Sequence, residues 1–179
     1  MVYVALLRGI NVGGHNKVGM KQLKALFEDL GMTGVRTYIN SGNVIFSTTT
    51  RGRAQLTTLI ENDLARSFGF KIKVVVRDLK SMKALVSSIP KHWADDKSMR
   101  CYVMFLCDEV NRPSVLKELV IKPEMDEVRY ASGAIVWRVD RKDLTKSGMM
   151  KLTTAPLYKR MTIRNVNTTR KLLELMETS

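Results

Sequence analysis

Two short turns, Ser41-Gly42 and Ser132-Gly133, each stand between runs of strand-forming residues, and their surroundings correspond: Ile39 to Val44 in the first half, Tyr130 to Ile135 in the second. A glycine between two such runs signals a hairpin, because it takes the left-handed backbone that a tight turn demands. A hairpin that recurs in both halves asks each half to build a sheet around it. In the first half strands are expected at 2–7, 35–40, 44–47 and 72–76. Met20, Leu23, Leu26, Phe27 and Leu30 recur at helical spacing, as do Leu56, Leu59, Ile60, Leu64 and Phe68, with Gly31 and Gly69 as the stops. The order β-α-β-β-α-β is the split βαβ or ferredoxin-like unit.

The second half repeats this outline less cleanly. Strands are expected at 101–106, 128–131, 135–139 and, briefly, 162–164. A helix at 112–120 would carry Pro113 in its first turn, and a helical or irregular stretch at 144–158 is broken by Pro156. The last helix places Leu172, Leu173, Leu175 and Met176 on its apolar side, with Asn167 or Thr168 as N-cap. The chain is therefore expected to be α+β, two ferredoxin-like (βαββαβ-type) subdomains in tandem. These are 1–80 and 99–179, joined by a linker at 81–98 that holds Pro90, Trp93 and a polar run.

Several classes are excluded by what the chain lacks. No apolar run approaches the roughly 18–20 residues that span a bilayer, so no membrane partner is expected. The start reaches Arg8 too soon for an apolar signal segment, which points to the cytoplasm. Cys101 and Cys107, six residues apart on an expected strand, would lie roughly 20 Å from one another. A disulfide needs less than about 7 Å, so both read as reduced apolar thiols. There is no CxxC or HxxxH spacing for a metal, and no motif calls for a cofactor.

The candidate chemistry gathers in three polar clusters. The first follows the opening strand: Arg8-Gly9-Ile10-Asn11-Val12-Gly13-Gly14-His15-Asn16. Strand, Gly-rich loop and helix is an arrangement that holds an anion on backbone N–H groups, although the loop matches neither GxGxxG nor GxxxxGK[ST]. The second is Tyr38, Asn40, Ser41 and Asn43 at the first hairpin, whose turn lies either at the same rim as the loop or at the opposite end. The third is Arg164, Asn165, Asn167 and Thr168 before the last helix. Each also has a plain structural reading. Gly13 and Gly14 permit positive φ, Asn16 suits a helix N-cap, Ser41-Gly42-Asn43 is ordinary turn chemistry, and an arginine can pair with a buried acid. Arg8 and Arg164 suit carboxylate or phosphate, because a guanidinium presents five donors in a plane. Catalytic constellations are missing: no GxSxG, no acid pair, and only His15 as a candidate general base.

The net charge is +13, and its placement is regional. Residues 129–171 carry eleven Lys and Arg against Asp140 and Asp143. Such a segment fits either solvation or a polyanionic partner. A nucleic-acid module would align Arg138, Arg141, Lys142, Lys146, Lys151, Lys159 and Arg160 on one face. Solvation would scatter them and offset them with acids from 124–127.

The whole chain resembles a bacterial family known as domain-of-unknown-function family 1697. The resemblance rests on Leu7 to Gly14, on Met20 with Leu23, on Thr37 to Phe46, and on Thr162 to Thr168 leading into Lys171-Leu172. It departs at Val166, where relatives are often aromatic, which weakens any base stacking there. It implies a compact protein of two ferredoxin-like subdomains and no particular activity. The three polar clusters coincide with its marked positions. The expected function is binding of a small phosphate- or carboxylate-bearing ligand in a cleft formed by the Gly-rich loop and the Arg164–Thr168 segment. The ligand-binding residues would be Arg8, Gly9, Asn11, Gly13, Gly14, Asn16, Tyr38, Ser41, Asn43, Arg164, Asn165, Asn167 and Thr168. The alternatives are an RNA- or DNA-binding module using 129–171, and an enzyme acting on a phosphorylated metabolite.

Overall fold

The computed structural model describes residues 1–50, 52–131 and 133–179; Ser132, in the second expected turn, lies outside them. The chain divides into two compact units, Met1–Met82 with Leu172–Ser179, and Lys83–Lys171.

In the first unit β1 (Val2–Leu7), β2 (Thr33–Tyr38), β3 (Asn43–Ser47) and β4 (Val74–Asp78) form one antiparallel sheet in the order β2-β3-β1-β4. This is the ferredoxin-like order, with β1 paired on both edges and buried from Tyr3 to Leu7. Helices α1 (Met20–Asp29) and α2 (Arg53–Phe68) contribute Leu23, Leu26, Phe27, Leu56, Ile60 and Leu64 to a core against Tyr3, Ala5, Leu7, Val44 and Phe46. Phe46 sits at its centre, stacked on Tyr3 at 5.8 Å and edge-on to Phe27 at 5.3 Å between ring centroids. The opposite sheet face is buried too, through Val4, Leu6, Ile45, Val75 and Arg77. Helix α1 stops where Gly31 was expected to stop it. Gly31 N–H donates to Glu28 O at 2.9 Å and Met32 N–H to Phe27 O at 3.1 Å, the two bonds of a Schellman close.

The second unit repeats this sheet. Strands β5 (Met99–Leu106), β6 (Asp126–Ala131), β7 (Ala134–Asp140) and β8 (Met161–Asn165) pair in the order β6-β7-β5-β8, each in the place of its counterpart in the first unit. The layer on it differs. The helix expected at 112–120 is a 3₁₀ turn, Pro113–Glu118, after a shorter one, Asp108–Val110. Pro113 supplies no N–H, and Leu119 is already extended (φ −112°, ψ 147°), so six residues remain, too few to sustain an α-helix. The stretch expected to be helical or irregular at 144–158 is three 3₁₀ turns, Arg141–Lys146, Gly148–Thr154 and Pro156–Arg160. Most of α3 (Leu79–Ser88) falls in the segment expected as a linker, since Met82 and Leu85 bury one side of a helix there. Helix α4 (Val166–Glu177) closes the chain. Cys101 is buried on β5, and burial pushes its thiol up to about 12; Cys107, just past the strand, is half-buried, and both are free. Among the described residues no helix is long and apolar enough to cross a membrane.

The 3₁₀ layer is anchored by one buried carboxylate. Asp126 accepts from Lys122 N–H and Gly148 N–H, both at 2.9 Å, and from the Ser147 hydroxyl. Burial alone would raise its carboxyl, but these hydrogen bonds outweigh it and hold the group below the ordinary value of 3.8. Gly148 is required beside it, because a Cβ there would fall 1.8 Å from Val120 O. Replacing Asp126 with Ala should lower stability by about 2–3 kcal/mol in urea unfolding, since three donors lose their acceptor. The contribution of Asp126 is present above the ordinary carboxylate range and is lost as pH falls through its lowered folded value. The Asp126→Asn protein should therefore show a shallower acid-side loss of stability than the parent.

Candidate functional site

The Gly-rich loop and the first hairpin meet at one rim of the first sheet. Antiparallel pairing sets Leu6 opposite Asn43, so the end of β1 lies beside the turn between β2 and β3. Leu7 N–H donates to Gly42 O at 2.8 Å, and Arg8 N–H donates to Lys73 O at 2.9 Å. Gly42 has φ +78°, and a Cβ there would lie 2.7 Å from Ile10 Cδ1 and 2.8 Å from Leu7 Cβ. Only glycine allows this approach.

Three asparagines build the rim. Asn11 Nδ2 donates to Val18 O at 3.0 Å and to Asn40 O at 2.9 Å, and its Oδ1 accepts from Val18 N–H at 2.9 Å. One side chain thus closes the loop on itself and staples it to the hairpin. Asn16 Nδ2 donates to Gly9 O at 3.0 Å. Asn16 is not the N-cap of α1; that position is Gly19, which makes no side-chain cap bond. Asn43, fully buried, donates to Tyr38 O at 2.8 Å and to Ser41 Oγ at 3.0 Å. The loop needs this support because its backbone is unusual: φ is positive at Gly9, Asn11, Gly13, Gly14 and Asn16. Ile39 also has positive φ, at 49°. That is rare for a β-branched residue, and the carbonyls on either side, those of Tyr38 and Asn40, are held by Asn43 and Asn11.

What the rim shows to solvent is the loop itself. Residues 11–17 are exposed, Val12 among them, as is Ile39 in the hairpin, while Arg8, Tyr38 and Ser41 are half-buried. Helix α1 begins directly after the loop with no acid in its first turn, and Lys17 and Lys21 are exposed beside its start.

The third cluster belongs to the second unit and is engaged there. Arg164 is buried on β8, where its Nη1 donates to Thr162 Oγ1 at 2.9 Å and to Ile163 O at 2.8 Å. Burial lowers the guanidinium to about 10, which leaves it charged at neutral pH. The cap of α4 is Asn165 rather than Asn167 or Thr168: its Oδ1 accepts from Thr168 N–H at 2.7 Å, one turn into a helix that starts at Val166. Asn167 donates instead to Asp95 O at 2.9 Å. The end of β4 has the same design. Buried Arg77 donates to Val76 O at 2.8 Å, and Asp78 Oδ1 accepts from Ser81 N–H at 2.7 Å at the start of α3. Sequence reasoning passed over this repeat, although Val76-Arg77-Asp78-Leu79 and Ile163-Arg164-Asn165-Val166 stand in corresponding places.

The basic segment is partly neutralised. Arg138 pairs with Glu127 at 2.8 Å and with Asp140 on its own strand face, Arg141 Nε donates to Asp96 O, and Arg170 donates to Trp93 O at 2.6 Å and Pro90 O at 3.0 Å. Lys142, Lys146, Lys151, Lys159 and Arg160 are exposed along the 3₁₀ turns.

Residues 1–137 match the family of proteins of unknown function DUF1697. A solved structure of a conserved bacterial protein from Streptococcus pneumoniae is similar along the chain: 29% identical, covering 98% of each chain, with a TM-score of 0.84. No curated protein matches.

Replacing Asn11 with Ala should cost about 2 kcal/mol, because three hydrogen bonds go at once. Asn165→Ala should cost about 1 kcal/mol as a lost cap, and His15→Ala should stay within about 0.5 kcal/mol as an exposed loop change. Urea titrations of the three variants give the ranking.

Proposed function

We propose that this chain, which belongs to the family of proteins of unknown function DUF1697, binds a small phosphate- or carboxylate-bearing ligand at the Gly-rich loop of its first unit. One observation carries the reading. An exposed loop, shaped by its own asparagines, leads into a helix with no side-chain cap and no acid in its first turn, so the positive end of that helix meets solvent among cationic groups. Arg8 and Lys17 supply the charge. Gly9, Gly13 and Gly14 let a ligand come close to the backbone, and Tyr38 and Ser41 border it. Asn11, Asn16 and Asn43 act indirectly, by holding the rim. The Arg164–Thr168 segment is not part of this reading, because its polar groups hold β8, α4 and the Asp95 loop.

Thermal unfolding of the full chain with pyrophosphate, with AMP and with citrate tests the proposal. A ligand at 100 times its Kd should stabilise the fold by about 2.7 kcal/mol, and Arg8→Ala combined with Lys17→Glu should abolish the shift. Absence of any shift, or a shift that survives both substitutions, would refute it.

A further inference from the structure

The two units treat corresponding edge strands differently. In the first unit β2 is blunted: its register on β3 shifts between Thr33 and Arg36, and Gly34 between them takes φ +60°. Such a break spoils an edge as a template for another strand. Its counterpart β6, at the edge of the second sheet, pairs with β7 in one unbroken register from Asp126 to Ala131. One bond fixes which groups of β6 face away from the sheet. Asp126 N–H turns from β7 and donates to Lys122 O at 2.7 Å. Residues of an antiparallel strand alternate between bonding one neighbour and facing the other side. The N–H and C=O groups of Val128 and Tyr130 therefore point outward, and among the described residues nothing bonds them.

The side chains of this edge select a partner. Val128 and Tyr130 pack on the core, while Glu127 and Arg129 are exposed on the other face. Both charges are held in place: Glu127 by Arg138 at 2.8 Å, and Arg129 with its guanidinium carbon 4.8 Å from the centroid of the Trp93 ring. An acid and a base on either side of Val128 are their own complement when the strand meets itself antiparallel. A two-fold axis through Val128 sets Glu127 opposite Arg129 of the second copy, and Asp126 opposite its Tyr130. The same register joins the outward groups: Val128 exchanges N–H and C=O bonds with its copy, and Tyr130 N–H reaches Asp126 O. Neighbouring registers do not work. An axis through Arg129 brings two guanidinium groups together, and an axis between residues would pair opposite faces.

We propose that β6 is the interface of a two-fold dimer, in which a second copy of this chain adds its own β6 antiparallel and the two sheets join into one. Sedimentation velocity of the full chain should show a dimer that dissociates on dilution. Amide exchange at Val128 and Tyr130 should slow as protein concentration rises, while exchange at Arg36 on β2 should not. Glu127→Arg and Arg129→Glu should each weaken self-association at least about tenfold, because the two-fold axis counts every like-charge contact twice. Circular dichroism checks that each variant is folded. Mixed in equal amounts, the two variants should dimerise again, since each supplies the charge that the other lacks. A parent chain still monomeric at roughly 1 mM would overturn the proposal. So would a dimer whose slowed amides lie elsewhere, single variants that associate as well as the parent, or a mixture of folded variants that stays monomeric.

Discussion

The pairing of β1 with β3 is the constraint on which the first unit turns. Leu6 opposite Asn43 puts the end of one strand against the start of the other, and the contact is so close that position 42 tolerates no side chain. A slip of one residue would exchange the two faces of β1. Tyr3, Ala5 and Leu7 would leave the helix-covered core, and the loop after Leu7 would lose its seat on the hairpin. Core register and rim geometry are therefore one decision. The asparagine network completes it by tying loop and hairpin carbonyls that the strands leave over.

The second unit reaches the same sheet order with a different cover. Its 3₁₀ turns present fewer apolar residues at regular spacing than α1 and α2 do, and a buried carboxylate does part of the anchoring. Three donors converge on Asp126, two of them from Ser147-Gly148 at the junction of two 3₁₀ turns. Both units end their sheets alike: a buried arginine on the last strand, then an aspartate or asparagine that caps the helix. This is a local solution to two local problems, the carbonyl next to an edge position and the open N–H groups of a helix.

Much of the fold was readable because it depends on neighbours in sequence. The paired Ser-Gly hairpins, the apolar spacing of α1 and α2, and Gly31 as a stop all concern residues within a few positions of one another. The asparagines were harder. Their residue type suits turns, caps and ligands equally, and what decides among these is a partner far along the chain: Asn40 O for Asn11, Asp95 O for Asn167. The 3₁₀ turn at Pro113–Glu118 escaped because Pro113 was taken to open a longer helix. The Arg-Asx repeat was present in the letters, but Asp78 and Asn165 look different enough that the shared capping role shows only in the bonds they make.

Cys101 gives the second unit a built-in clock. Thiol reagents attack the thiolate, and a thiol raised to about 12 presents on the order of one part in 100,000 of that form at neutral pH. The side chain is also sealed within the strand that the rest of its sheet is paired around. Cys107, just past the end of the same strand, is only half-buried. Labelling at Cys107 can follow small openings near the strand end, while labelling at Cys101 must wait until the central strand lets go of its neighbours. The chain thus carries, a few residues apart, one reporter of local breathing and one of the collapse of a whole sheet.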